Sequence, residues 1–133
     1  MIQKIHHIGI AVSSLDEALG FYRDTLGLPV HKQAEVQEQG VRAALLTIGQ
    51  SEIELLEPLS PETAIGRFLE RRGEGLHHVC FQTDGIDQEL AGLKAKGVEL
   101  IDQQPRLGLA GRICFLHPRA MQGVLVELAE PVD

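Results

Sequence analysis

The sequence predicts an α+β fold made of two tandem β-α-β-β-β modules in a single chain of 133 residues. Two landmarks carry this reading. The run Ile5-His6-His7-Ile8-Gly9-Ile10-Ala11-Val12 returns as Leu76-His77-His78-Val79-Cys80-Phe81-Gln82-Thr83. Further on, Glu52-Ile53-Glu54-Leu55-Leu56-Glu57-Pro58 returns as Leu125-Val126-Glu127-Leu128-Ala129-Glu130-Pro131. His7 and His78 lie 71 residues apart, Glu54 and Glu127 73 apart, so both landmarks recur in one order at nearly one offset. Self-similarity at a fixed period marks a duplicated unit. A unit of about 70 residues sits near the lower limit for a self-sufficient core. The expectation is therefore one domain over residues 1–133, with module 1 at about 1–60, a linker helix at 61–74 and module 2 at about 75–133.

The elements follow in order. Residues 5–12 alternate around β-branched positions and predict a strand. Ser14 followed by Glu17 is a capping-box signature that opens a helix from Leu15 to Gly27, with Leu15, Leu19, Tyr22 and Leu26 at helical spacing. Gly27 stops it. Strands are expected over 29–37, 41–48 and 52–57, with turns at Gly40 and Gly49-Gln50. Residues 62–72 predict a connecting helix. In the second module Asp84 is expected to cap a helix from Gly85 to about Lys96, whose buried stripe is Ile86, Leu90 and Leu93. Strands follow at 98–103, 112–117 and 123–130, and the Gly-rich segment Pro105–Gly111 reads as a loop.

Composition bounds the function. At 44% hydrophobic and 23% charged residues the chain is a folding sequence, and 4% aromatics without Trp require an aliphatic core. A net charge of −7 argues against a general nucleic-acid binder. Apolar runs such as Ile8–Val12 and Ala43–Ile48 are too short to span a bilayer. Nothing at the N-terminus resembles a targeting peptide, and Cys80 and Cys114 sit in apolar runs as reduced core thiols, so a cytoplasmic setting is expected. The arginines cluster as Arg67, Arg71, Arg72 and as Arg106, Arg112, Arg119 with His117; the plain reading of both groups is a solvated face.

Strand side chains alternate between faces. Ile8, Ile10 and Val12 should pack on the helix, leaving His7, Gly9 and Ala11 on the other face; Val79 and Phe81 likewise leave His78, Cys80 and Gln82. Glu54 and Glu127 stand between apolar neighbours, and an inward mid-strand carboxylate is costly unless paired or bound to a metal. A single strand His is more often structural, and His6 and His77, on the other face, are read as structural or as partners that orient nearby groups. The repeat changes the weighing for the set. His7, Glu54, His78 and Glu127, one His and one Glu per module, form a nitrogen and oxygen donor set suited to a divalent transition metal.

These residues carry a resemblance over nearly the whole chain. The pattern is similar to the vicinal oxygen chelate superfamily, which includes glyoxalases and extradiol dioxygenases, and within it to the methylmalonyl-CoA epimerase family. Besides the two repeated landmarks it is borne by Glu38-Gln39-Gly40-Val41, Gly75-Leu76-His77-His78-Val79 and Phe115-Leu116-His117-Pro118 leading into Gly123-Val124-Leu125-Val126-Glu127-Leu128. The resemblance implies a glyoxalase-like fold, a curved mixed sheet around a metal-binding cleft. It implies interconversion of (2R)- and (2S)-methylmalonyl-CoA through a metal-stabilised enolate that a base reprotonates on the opposite face; Glu127 and Glu54 are the candidates of this chain for that base chemistry. The metal would be Co(II) first, with Mn(II), Ni(II) or Zn(II) compatible, on His7, Glu54, His78 and Glu127. An acyl-CoA substrate needs cations for its phosphates, for which Arg106, Arg112 and Arg119 are candidates, and a homodimer is expected. The chain departs from the family pattern twice: some members carry Gln at the position of Glu54, and some carry a catalytic Glu at that of Ala43. Three other readings compete. A metal-dependent glyoxalase I shares the donor set. An Fe(II) oxygenase with a two-His, one-carboxylate triad is countered by the fourth ligand. A non-catalytic ligand-sequestering protein of the same fold would need no metal ligands, so the complete donor set speaks against it.

Overall fold

The computed structural model describes residues 1–132. Its strands form one mixed eight-stranded sheet in the order β2-β3-β4-β1-β5-β8-β7-β6. The elements of the first repeat are β1 (Ile2–Ala11), α1 (Leu15–Leu19), β2 (Val30–Val36), β3 (Val41–Ile48) and β4 (Ser51–Pro58), followed by α2 (Ala64–Arg72). The second repeat supplies β5 (Gly75–Thr83), α3 (Ile86–Ala95), β6 (Arg106–Gly108), β7 (Gly111–Leu116) and β8 (Val126–Glu130). The fold is thus the expected glyoxalase-like α+β arrangement. The duplication is exact in pairing: β1 runs parallel to β4 as β5 does to β8, and the other strands of each repeat add antiparallel. Contacts gather the described residues into two compact units, 7–77 in one, and 1–6 with 78–132 in the other.

In unit 7–77 the helix face is an aliphatic cluster. Val12, Leu15, Leu19, Ala44, Leu46 and Leu55 are buried together, with Ile10, Tyr22 and Ile53 packed against them. Leu15 and Leu19 come from the helix, Ala44, Leu46 and Leu55 from β3 and β4, and Val12 directly follows β1, so the alternation read from the sequence sets the core. Ser14 Oγ accepts the Glu17 N–H at 3.2 Å, as the capping signature requires. The helix itself is not uniform. After Leu19 it widens into a π-helical stretch, Gly20–Thr25, in which Leu26 N–H reaches Phe21 O at 2.9 Å. The Thr25 hydroxyl donates to Gly20 O at 3.2 Å, so a side chain shares the carbonyl that a regular α-turn would have used. Gly27, at φ 79°, ends the element as expected. The turn before β3 is equally demanding. Gly40 takes φ 68°, and a Cβ there would meet Thr63 Cγ2 at 2.6 Å.

The other unit repeats this core. Ile86 and Leu90 of α3 are buried with Cys114, Leu116, Val126 and Leu128, and Val79 and Phe81 pack against them. Here four expectations need correction. Asp84 does not cap α3: the N-cap is Gly85, and Asp84 Oδ1 instead holds the Met1 ammonium at 2.8 Å. The expected strand at 98–103 is reduced to a Leu100–Leu116 bridge, and the expected loop contains β6. Asp102 explains the shift. Its Oδ2 accepts the Phe115 N–H at 2.8 Å and its Oδ1 the Arg106 Nε–H at 3.1 Å, so a side chain takes the place of a strand carbonyl and the ladder resumes only after Pro105. Finally, β8 starts at Val126, because Gln122 and Gly123 turn the chain with positive φ values of 55° and 89°.

Candidate functional site

His7 is buried on β1 and Glu54 on β4, where Gly9 lies opposite Glu54 in the parallel register. His7 Nε2 lies 3.2 Å from Glu54 Oε1, with side-chain exposures of 0% and 5%. β3 completes this face. Leu45 pairs with Glu54 and Ala43 with Leu56, and Val41, Ala43 and Leu45 are all buried. The wall beside Glu54 is therefore apolar, and Ala43 brings no titratable group to it.

The second unit presents the same arrangement. His78 on β5 and Glu127 on β8 are both buried, and His78 Nε2 lies 2.9 Å from Glu127 Oε1. Cys80, two residues beyond His78, is opposite Glu127 in the register and buried with Ala110, Ile113 and Ala129. Phe115, paired with Glu127 across β7 and β8, sets its ring edge-on to His78 with centroids 5.5 Å apart. Register alternation gives Arg106, opposite Ile113, the same face, and its guanidinium lies 5.8 Å over the Phe115 ring.

Structure thus joins His7 to Glu54 and His78 to Glu127, each pair at ion-pair distance and away from water. Buried imidazole nitrogens and carboxylate oxygens are the donor chemistry that could hold a divalent ion, and the four residues fit such a role. The two other arginines lie elsewhere in the unit. Arg112, opposite Glu130, belongs to the helix face and makes a two-pronged pair with Asp87 of α3 at 2.9 and 3.0 Å. That guanidinium holds the Asp87 carboxyl below its ordinary range. Arg119, in the 3-10 turn Pro118–Met121, lies 3.4 Å from Glu99. His77 sets its ring against Phe68 at 4.9 Å, a packing role consistent with its expected structural part.

One pair of residues escaped the sequence reading although the repeat contains it. Glu57 Oε1 accepts the Leu15 N–H at 2.7 Å, and Glu130 Oε1 accepts the Ile86 N–H at 2.9 Å. Each carboxylate ties the strand that carries a buried Glu three residues earlier to the first turn of the helix packed on it. The signal was present in Glu54-Leu55-Leu56-Glu57 and Glu127-Leu128-Ala129-Glu130.

The fold and these pairs define a class. The family model of the Glyoxalase/Bleomycin resistance protein/Dioxygenase superfamily matches residues 6–115, and the chain belongs to that superfamily. Its relatives within the class are more particular. Methylmalonyl-CoA epimerase, mitochondrial, of Mus musculus is 36% identical over 129 residues, covering 96% of this chain and 72% of the relative. A solved Streptomyces coelicolor methylmalonyl-CoA epimerase, in complex with 2-nitronate-propionyl-CoA, superimposes with a TM-score of 0.96 at 41% identity, covering all of both chains. The uncharacterized protein YqjC of Bacillus subtilis is 43% identical, over 98% of this chain and 94% of its own.

Proposed function

We propose that the protein is a metal-dependent epimerase that interconverts (2R)- and (2S)-methylmalonyl-CoA. The observation that carries this reading is the buried His–Glu pair set at the repeated position of each unit. The family relatives supply the substrate, since two of those named above are methylmalonyl-CoA epimerases. His7, Glu54, His78 and Glu127 would hold the ion. A divalent ion so held, Co(II) first and Mn(II), Ni(II) or Zn(II) alternatively, supplies Lewis acidity that makes a C2–H beside a thioester easier to remove.

The chain's own residues do the rest. Glu54 and Glu127 are proposed to move the C2 proton: one carboxylate removes it from one face, and the other returns a proton to the opposite face, which inverts C2. The buried apolar residues Val41, Ala43 and Leu45 line the strand beside Glu54 and limit the water around its carboxylate. Phe115 fixes the His78 ring from its edge. Arg106, Arg112 and Arg119 are proposed as substrate contacts. Arg106 has the best support, sharing the face of Glu127 and being anchored by Asp102, and it suits the charged acyl end.

A homodimer and a cytoplasmic setting complete the proposal. The ends of the sheet order are the unpaired edges of β2 and β6, which favour pairing with another chain. Cys80 and Cys114 are buried in separate clusters, Cys80 with Ile113 and Ala129 and Cys114 with Leu116 and Leu128, which suits a reducing compartment. Among the described residues no helix is long and apolar enough to cross a membrane.

The test is exchange of the C2 proton of methylmalonyl-CoA with solvent deuterium, followed by mass spectrometry across a panel of divalent metals. Exchange with inversion is expected. No exchange, together with turnover of the methylglyoxal–glutathione adduct, would move the assignment to a glyoxalase I.

A further inference from the structure

Outside α2, each arginine is engaged by a carboxylate. Arg23 pairs with Asp24, Arg42 with Glu57, Arg106 with Asp102, Arg112 with Asp87 and Arg119 with Glu99, at 2.8 to 3.4 Å. The α2 arginines differ. Among the described residues no carboxylate lies within ion-pair distance of Arg67, Arg71 or Arg72, although acidic residues outnumber basic ones by 19 to 12.

Their placement has a cost that needs an explanation. Arg67 and Arg71 are four residues apart on one helix, where like charges repel by a few tenths of a kcal/mol. The C-terminal dipole of α2 favours Arg71 and Arg72 in its last turn, but Arg67 is the fourth residue of the helix and gains nothing from it. Arg72 is positioned rather than loose: its guanidinium lies 5.9 Å over the Phe68 ring, which meets the edge of His77 at 4.9 Å. The residue after His77 is His78. His77 and His78 are neighbours on β5 and alternate between its faces, so α2 packs against the strand that carries a proposed metal ligand from the face opposite that ligand. Its base is rigid too. Thr63 Oγ1 caps α2 by accepting the Gly66 N–H at 3.1 Å, and a Cβ on Gly66 would meet Ser60 O at 2.5 Å, so the helix is set tightly on the turn after β4.

We propose that Arg67, Arg71 and Arg72 form the docking surface for the nucleotide phosphates of the acyl-CoA substrate. The inference rests on the epimerase reading above. The thioester and the phosphates of CoA are separated by the long pantetheine arm, so the phosphate site has to lie away from the buried carboxylates, on a surface that water reaches. Three cations without carboxylate partners on one fixed helix meet that need, and an anion between Arg67 and Arg71 relieves their mutual repulsion.

A truncated substrate separates the two ideas. Steady-state epimerisation is measured with methylmalonyl-CoA and with methylmalonyl-pantetheine, which lacks the nucleotide, for the metal-loaded protein and for the variant Arg67→Gln/Arg71→Gln/Arg72→Gln. Glutamine is a good helix former, so α2 is retained. The expected result is a KM for the CoA thioester raised on the order of tenfold, from three surface ionic contacts, with kcat unchanged and both constants for the pantetheine thioester unchanged. Added salt should raise the KM of the unmodified protein for the CoA thioester and have less effect on the variant. An unchanged KM for the CoA thioester overturns the inference, as does an equal rise for both substrates. A single Arg67→Glu variant checks the sign, since it must raise KM further than Arg67→Gln. If the unmodified protein turns over neither substrate, the epimerase reading itself has failed, and that result is distinct from a phosphate site placed elsewhere.

Discussion

At the scale of single residues, the four buried donors were legible because duplication exposes what one copy hides. A strand His or Glu taken alone carries little meaning, yet His7 with Glu54 and His78 with Glu127 recur together, and structure sets each pair within 3.2 Å. Removing the charge while keeping the shape tests them. Glu127→Gln and Glu54→Gln should each lower the rate of C2 exchange by about 10²–10⁴-fold, the usual contribution of a positioned base, with the fold intact by circular dichroism. His78→Ala should abolish metal uptake in native mass spectrometry; retained metal and activity would remove His78 from the site. The cysteines give a pH prediction. Burial pushes the Cys114 thiol from 9.0 up to about 12. The folded protein therefore keeps a proton that the unfolded chain releases above pH 9, and stability should fall as pH climbs from about 9 towards 12. At pH 8 in native buffer neither thiol should react rapidly with a disulfide reagent, whereas both should react in denaturant.

At the scale of elements, period and caps gave the helix and strand positions well wherever backbone pairs with backbone. The misses occur where a side chain replaces a backbone partner. Asp102 takes the Phe115 N–H and moves a strand, Thr25 shares a carbonyl and widens a helix, and Glu130 rather than Asp84 serves the first turn of α3. Such substitutions depend on long-range neighbours, which local pattern does not contain. The α3 anchor is testable by its chemistry. Glu130→Ala leaves the Ile86 N–H without its acceptor and should cost about 1–2 kcal/mol, a fall in Tm of roughly 5 °C. Glu130→Gln keeps an acceptor oxygen and should recover much of that loss. Equal losses for both variants would mean that charge, not the hydrogen bond, is what matters.

At the scale of the whole molecule, the duplication was legible in the sequence, whereas the parallel partner of each opening strand, β4 for β1 and β8 for β5, is set by long-range pairing that local pattern does not contain. Units of this size are marginal alone, so thermal unfolding should be one cooperative transition by calorimetry; two resolved transitions would show independent units. If the four donors bind an ion that the unfolded chain does not, saturating Co(II) at about 100 times its Kd should add about 2.7 kcal/mol, raising Tm by roughly 10 °C. A chain carrying both His7→Ala and His78→Ala should show no such rise.

The paired carboxylate anchors also make the molecule its own control. Glu57 and Glu130 form one bond type, with an amide of the first helical turn, in two settings within one chain. Glu57 also receives a hydrogen bond from Arg42 at 3.3 Å, while the arginine facing Glu130 is drawn away to Asp87. Identical substitutions at the two positions therefore compare a shared carboxylate with an unshared one under the same solvent, temperature and expression history. The difference between them measures what one guanidinium adds, free of the background that separates any two proteins.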